Sequence, residues 1–215
     1  MASPSSLNVA PLSRNERMIL EIVRRHEPIP RAAITGHTNL TQQSVHRIIE
    51  DLTAAGLLMS GEPTRGTRGQ PSPNMLLVRQ ARYALGMSVN TDSATICLSD
   101  MSCRTLEEVR IRIAPLGRDQ TLAAARDVVE RLLLRHSVRR DQLVGMGFGM
   151  SGFFTADLRQ INAPEPLSDW SLIDLDPIFS EVFGLPVRIQ NNGTTAAIVR
   201  KHRGTRHLFC RPGTP

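Results

Sequence analysis

Asn39-Leu-Thr-Gln-Gln-Ser-Val-His-Arg-Ile-Ile-Glu-Asp-Leu-Thr-Ala-Ala-Gly-Leu-Leu-Met59 is the stretch that decides the fold. Val45, Ile48, Ile49 and Leu52 recur at i, i+3, i+4 and i+7, which is one apolar stripe of a helix. At about 100° per residue the opposite face carries Gln43, Arg47 and Glu50, flanked by Gln42, Ser44 and His46. Ala54-Ala55-Gly56 ends the helix, with Gly56 free to take the left-handed cap conformation. The outward side chains at its N-terminal end are amides, a hydroxyl and a guanidinium, with no acid before Glu50. Groups of that kind hydrogen-bond base edges and phosphates in a major groove. A solvated helix face is the alternative, and the neighbouring segments weigh against it.

Upstream, Ser13-Arg14-Asn15-Glu16 has the spacing of a capping box, which predicts a helix from there to near His26, before Pro28. Met18, Ile19, Ile22 and Val23 form its buried face. A short second helix is expected from Pro30, suited to a first-turn position, to about Gly36. The turn His37–Leu40 then leads into the opening helix, and three helices with a tight turn before the third make a helix-turn-helix. Downstream, Leu57–Ser60 and Met75–Val78 are candidate strands, and the loop between them makes the hairpin a wing. Arg65 and Arg68 sit in that loop among glycines and prolines, where a slim, extended arm can enter a minor groove. A flexible linker with merely solvated arginines is the other possibility for this loop.

The chain has 215 residues, 40% hydrophobic and 21% charged, enough to build real cores. No apolar run approaches a membrane span, residues 1–13 lack a signal-peptide pattern, and a cytoplasmic protein is expected. Cys97, Cys103 and Cys210 form no C-x-x-C pair, so neither a disulfide scaffold nor a structural zinc site is indicated, and no cofactor or metal is expected. The net charge of +6 is unevenly spread: residues 1–82 hold ten arginines and six acids, residues 83–199 eleven arginines and fourteen acids. A basic first third followed by an acidic middle suggests a nucleic-acid module joined to something else.

From Tyr83 the pattern changes. Tyr83–Val89, Ser93–Leu98 and Leu106–Ile113 read as strands, followed by a long helix over Thr121–His136 with Leu122, Ala125, Val129, Leu132 and Leu133 inward. A strand Leu143–Phe148 enters the Gly-rich turn Gly149-Met150-Ser151-Gly152. A helix around Ile173–Phe183, a strand Pro186–Gln190 and a helix from about Thr194 complete an α/β pattern.

In this light the chain resembles the ROK family, which joins sugar kinases and sugar-responsive repressors. The resemblance rests on Val144-Gly-Met-Gly-Phe-Gly-Met-Ser-Gly152, Asn162-Ala-Pro164, Trp170, and Gly184-Leu-Pro-Val-Arg-Ile-Gln-Asn-Asn-Gly-Thr-Thr-Ala-Ala197. It runs from Ser13 to about Arg203, and the helix-turn-helix with its Arg-Gly-x-Pro arm is similar to the repressor branch. The fold class it implies is an α+β winged helix-turn-helix domain followed by the first lobe of an α/β actin-like ATPase (ribonuclease H-like) domain. The expected organisation is a disordered N-terminus over 1–12, a DNA-binding domain over 13–79, an incomplete effector domain over 80–203 and an atypical tail over 204–215, where Arg211-Pro212 interrupts the strand the family carries. The family's second lobe, with a metal-binding His, and its Cys-rich metal segment would lie beyond this chain.

The resemblance also marks departures in the chemistry. The family's catalytic base, the Asp of E-N-D, is Asn192 here, and an amide cannot take a proton from a sugar hydroxyl at neutral pH. The phosphate loop D-x-G-G-T corresponds to Ser88-Val89-Asn90-Thr91-Asp92, without either glycine and with an acid that would repel ATP. No kinase activity is therefore expected. Asn191 keeps the family's sugar-contacting asparagine, Asn192 can still bond a hydroxyl, and Gly152 would let the backbone approach a ligand. Glu165 replaces the asparagine after Ala-Pro. The alternatives are that Asn191 and Asn192 only cap the next helix, and that Glu165 is a surface acid.

The expectation is a DNA-binding transcriptional regulator, a repressor of sugar-related genes, with a non-catalytic kinase-like domain. Gln42, Gln43, Ser44 and Arg47 would meet the major groove, Thr41 and His46 phosphates, and Arg65 and Arg68 the minor groove or backbone; Glu50 would orient Arg47. Its partners would be double-stranded DNA, a sugar or sugar-phosphate effector and a second copy of the chain, with no membrane. The rivals are an atypical or degenerate ROK sugar kinase phosphorylating a hexose, and a protein-interaction module whose winged helix no longer binds DNA.

Overall fold

The computed structural model describes residues 12–62, 72–113, 117–155 and 160–191. Arg65, Arg68, Asn192, the helix expected from Thr194 and the tail over 204–215 lie outside the described residues, as do residues 1–11 of the expected disordered N-terminus. The chain divides into two compact units: Met1–Ala84 with Leu98–Glu107 and Arg135–Val144, and Leu85–Cys97 with Glu108–Leu134 and Gly145–Pro215.

In the first unit, helix α1 (Arg14–His26) starts where its capping box predicts. The Glu16 N–H donates to Ser13 Oγ (3.2 Å), and the Ser13 N–H donates to Glu16 Oε2 (2.6 Å). Chain direction then changes through the two-residue strand β1 (Ile29–Pro30), helix α2 (Arg31–Ile34) and a 3₁₀ turn over Thr35–His37. Pro30 therefore precedes the second helix rather than opening it. It closes an edge strand, where the missing N–H costs nothing. Helix α3 (Gln42–Ala54) follows, then strands β2 (Leu58–Gly61) and β3 (Asn74–Leu77), which pair antiparallel from Leu58↔Leu77 to Gly61↔Asn74. Strand β1 adds to the other side of β3 through Ile29↔Met75, giving the order β1-β3-β2. One apolar cluster unites these elements. It includes Ile19, Val23, Ile34, Val45, Ile49, Leu52, Leu58 and Met75, each 2% exposed or less.

A five-stranded sheet has the order β10-β7-β4-β5-β6, formed by β4 (Tyr83–Val89), β5 (Ser93–Asp100), β6 (Thr105–Arg112), β7 (Leu143–Met150) and β10 (Val187–Asn191). Strand β4 alternates strictly between buried and half-buried residues, and β5 continues two residues past the expected end. Helix α4 (Arg118–Arg135) buries Leu122, Ala125, Val129, Leu132 and Leu133 as expected, and Val128 and Thr121 besides.

In the second unit, β10 runs parallel to β7, from Val187↔Met146 to Asn191↔Met150. The Gly-rich run at 149–152 is mostly strand: β7 extends to Met150 and only Ser151-Gly152 turn. A small hairpin, β8 (Phe153–Phe154) with β9 (Ile161–Asn162), and a 3₁₀ helix over Glu165–Trp170 come next. Helix α5 (Leu175–Phe183) is capped by Asp174 and ends on Gly184 at φ +65°. Trp170, Phe148, Phe179 and Phe183 form an aromatic row, with successive ring centroids 5.9, 4.5 and 5.6 Å apart. No helix among the described residues is long and apolar enough to cross a membrane.

Candidate nucleic-acid interface

Helix α3 presents two chemically distinct faces because its inner stripe is fully used by the core. Val45, Ile49 and Leu52 are buried and Ile48 is half-buried. Thr41, Gln42, Gln43, Ser44, His46, Arg47 and Glu50 are all exposed. Gln42 and His46 stand one turn apart, as do Gln43 and Arg47, so the N-terminal end offers two parallel rows of polar groups. Among the described residues, Arg47 has no ion-pair partner.

Thr41 is the N-cap of α3. Its Oγ1 accepts the Ser44 N–H (3.3 Å) and lies 2.9 Å from Ser44 Oγ. Both hydroxyls are thus engaged in starting the helix. At the other end the Gly56 N–H donates to the Thr53 carbonyl (3.0 Å) and the Leu57 N–H to the Leu52 carbonyl (2.9 Å). With Gly56 at φ +69°, these are the two bonds of a Schellman cap.

Glu50 does not meet Arg47. Its Oε1 receives His46 Nε2 at 2.9 Å and Arg31 Nη2 at 3.3 Å, while the same Arg31 nitrogen donates to the His46 carbonyl (3.2 Å). His46 lies four residues before Glu50, within reach along the helix, and Arg31 comes from α2. Arg31 is a residue that no sequence motif marked. The start of α2 is also tied to the base of the wing, since the Arg31 N–H donates to the Pro73 carbonyl (2.9 Å) and the Ala32 N–H to Ser72 Oγ (3.2 Å). Arg65 and Arg68 of the wing loop lie outside the described residues.

The candidate ligand residues fall in the second unit. Asn191 ends β10 and pairs with Met150, the end of β7, so Asn191 and Gly152 stand at the C-terminal ends of neighbouring parallel strands. Ligands of open α/β sheets collect at such ends. Gly152 has φ +150°, and a Cβ there would lie 2.7 Å from the Asn162 carbonyl oxygen. The close approach at Gly152 is therefore made by the β9 backbone. Glu165 is exposed at the first position of the 3₁₀ helix. Asp92 accepts the Ser93 hydroxyl (2.9 Å) and pairs with Arg110 (3.2 Å). That hydroxyl, with Arg110 beside it, holds the Asp92 carboxyl below the usual carboxylate range, so a charge sits in this turn at neutral pH.

Residues 12–59 match the family described as winged helix-turn-helix DNA-binding. Over 187 residues the chain is 23% identical to the uncharacterized protein y4fQ of Sinorhizobium fredii, covering 87% of this chain and 48% of that protein. It is 21% identical over the same span to the xylose repressor of Bacillus spizizenii, again covering 87% and 48%. Among solved structures, a ROK family transcriptional regulator described as a homologue of the E. coli MLC protein superposes with a TM-score of 0.64 at 19% identity, over 87% of this chain and 47% of that one. The chain shares its fold with that ROK family regulator. Its N-terminal winged helix-turn-helix is followed by a mixed α/β segment. The chain spans about half the length of the curated relatives it matches.

Proposed function

We propose that the chain is a DNA-binding transcriptional regulator that reads sequence through α3 and acts as a repressor of sugar-related genes. The observation that carries the proposal is the exposed row Gln42, Gln43, His46 and Arg47, set at the capped N-terminus of a helix whose other face is locked in the core. Amides and a guanidinium can bond base edges bidentately, and a helix N-terminus favours phosphate. Thr41 and Ser44, already bonded to each other, serve better as phosphate neighbours than as base readers. Arg65 and Arg68 would follow the backbone or minor groove from the wing. The names of the relatives, a xylose repressor among them, support this class of function and a sugar or sugar-phosphate effector. Gly152, Glu165, Asn191 and Asn192 are the candidate effector contacts, and a two-fold DNA site would call for a homodimer.

The chain is proposed to have no kinase activity. Asn192 replaces the proton acceptor, and charged Asp92 stands in the turn where family kinases cradle phosphate. A hexose-dependent ATP turnover that disappears in Asn192→Ala would reverse that conclusion. The direct test of the main proposal is selection of genomic fragments by the purified chain at physiological salt with competitor DNA, beside Arg47→Ala. A palindromic motif enriched by the wild type and lost in the mutant is the expected result, at a cost of about 1–3 kcal/mol per lost base contact. Equal, steeply salt-dependent recovery of bulk DNA by both would reduce the interaction to phosphate attraction.

A further inference from the structure

The winged helix-turn-helix shares its unit with a piece of the five-stranded sheet, the turn between β5 and β6. Asp100, 7% exposed, builds this turn: its Oδ1 accepts the Ser102 N–H (2.9 Å), the Ser102 hydroxyl (2.7 Å) and the Arg104 N–H (3.0 Å). Cys103 sits at φ +63° and its N–H donates to the Asp100 carbonyl (2.9 Å). A turn so fully bonded presents one residue in a fixed way, Met101. Its N–H donates to the Arg79 carbonyl (3.1 Å), and its side chain packs against the cluster that holds Val45, Ile49 and Leu52, the inner face of α3.

The segment that receives Met101 is also held by the end of α1. The side chain of Glu27 is 11% exposed; Oε2 accepts the Leu77 N–H (2.9 Å) and Oε1 accepts Arg79 Nη2 (2.7 Å). A second strut comes from Gln142, whose Nε2 donates to the Gln80 carbonyl (3.1 Å). Residues 77–80 are thereby bonded to α1 and, at the same time, to two later segments of the chain. A charged-group hydrogen bond at low exposure is among the stronger polar contacts available, and a methionine fills an irregular gap well.

We propose that Met101, with Glu27 behind it, is a positioning residue that locks the recognition-helix core to the β5–β6 strand pair, so that DNA engagement and the state of this strand pair report on each other. The DNA half of this statement rests on the function proposed above; the lock itself does not. Met101 meets the apolar cluster to which the inner face of α3 belongs. Its effect on binding would pass through the core beneath that helix.

The test is amide hydrogen exchange on the full chain for wild type, Met101→Asp and Met101→Leu, first without DNA. The charged variant cannot sit against the apolar cluster, whereas leucine nearly conserves volume. In Met101→Asp, exchange should quicken by about tenfold or more at Leu77, Val78 and along α1 and α3, while the β7–β10 pairing keeps its wild-type rates, and Met101→Leu should behave as wild type. Unchanged rates in the winged helix overturn the lock, and so does an equal rise throughout the chain, which would mark a purely general loss of stability. The second arm adds a short duplex enriched by the wild-type chain from genomic fragments. Slower exchange at the start of α3, accompanied by slower exchange at Met101 and Cys103 in wild type and Met101→Leu but not in Met101→Asp, is expected. Protection of α3 with no change in the turn overturns the coupling. Absence of any α3 protection sinks the DNA-binding function instead, and the DNA-free arm then decides the lock alone.

Discussion

Glu50 Oε1 lies 2.9 Å from His46 Nε2, and the same oxygen takes Arg31 Nη2 at 3.3 Å, so one carboxylate draws together a residue of α2 and a residue one turn earlier on α3. Glu50 and His46 are exposed and Arg31 is half-buried, and pairs so open to solvent contribute at most about 1 kcal/mol to stability. Their influence on a polyanion is of another kind, because Glu50 removes a charge from the field that phosphates feel and occupies two hydrogen-bond donors.

Glu50→Gln should therefore tighten binding to every duplex by several-fold at low salt and steepen the salt dependence by about one ion, with little change in melting temperature. A titration over several salt concentrations measures both. Weaker binding in Glu50→Gln would mean that Glu50 itself receives a base donor.

Gly56→Ala isolates the helix stop. A Cβ at this position would find nothing within 4 Å, so the substitution tests φ +69° alone. It should lower stability by about 1 kcal/mol, with Gly56→Asn milder, in a thermal melt of the chain. Equal stability of all three proteins would remove the left-handed cap from the account.

Glu21 gives an acid-sensitive contribution. The Arg24 guanidinium, with Arg25 beside it, lowers its carboxyl from 4.5 to about 2. A depressed carboxyl stabilises the folded state above its unfolded value and loses that contribution as pH falls through the folded one. The gap between wild type and Glu21→Gln, at most about 1 kcal/mol at this partly exposed site, should hold at neutral pH and close between about pH 4.5 and pH 2. Denaturant unfolding at stepped pH reads it, and a gap independent of pH would exclude the ion pairs as its source.

Gly152→Ala separates two roles for one glycine. The added methyl would meet Ile161 Cγ2 at 2.5 Å and the Asn162 carbonyl at 2.7 Å, with φ at +150°. The variant should lose about 1–3 kcal/mol with no ligand present. A variant as stable as wild type that fails only in sugar binding would return Gly152 to the ligand site.

What could be read along the chain was whatever is periodic or local. The 3.6-residue stripe from Val45 to Leu52, the capping box at Ser13 and the glycine stop at Gly56 each specify their geometry within one or two turns of backbone, and helices α1 and α3 and the wing strands stand within a residue or two of expectation. Strand β4 was legible for the same reason, through its alternation. Beyond the reach of any such pattern were contacts between residues far apart in sequence: the two-residue strand Ile29–Pro30, which exists only because Asn74 and Met75 lie beside it, the β8–β9 hairpin closing over Gly152, and the choice of Glu50 for His46 and Arg31 over Arg47. Composition placed a basic module first and an acidic one after it. That Leu98–Glu107 and Arg135–Val144 join the unit of the winged helix is a matter of which surfaces bury one another, and only the tertiary structure, through Met101 against the core and Glu27 on Leu77 and Arg79, decided it.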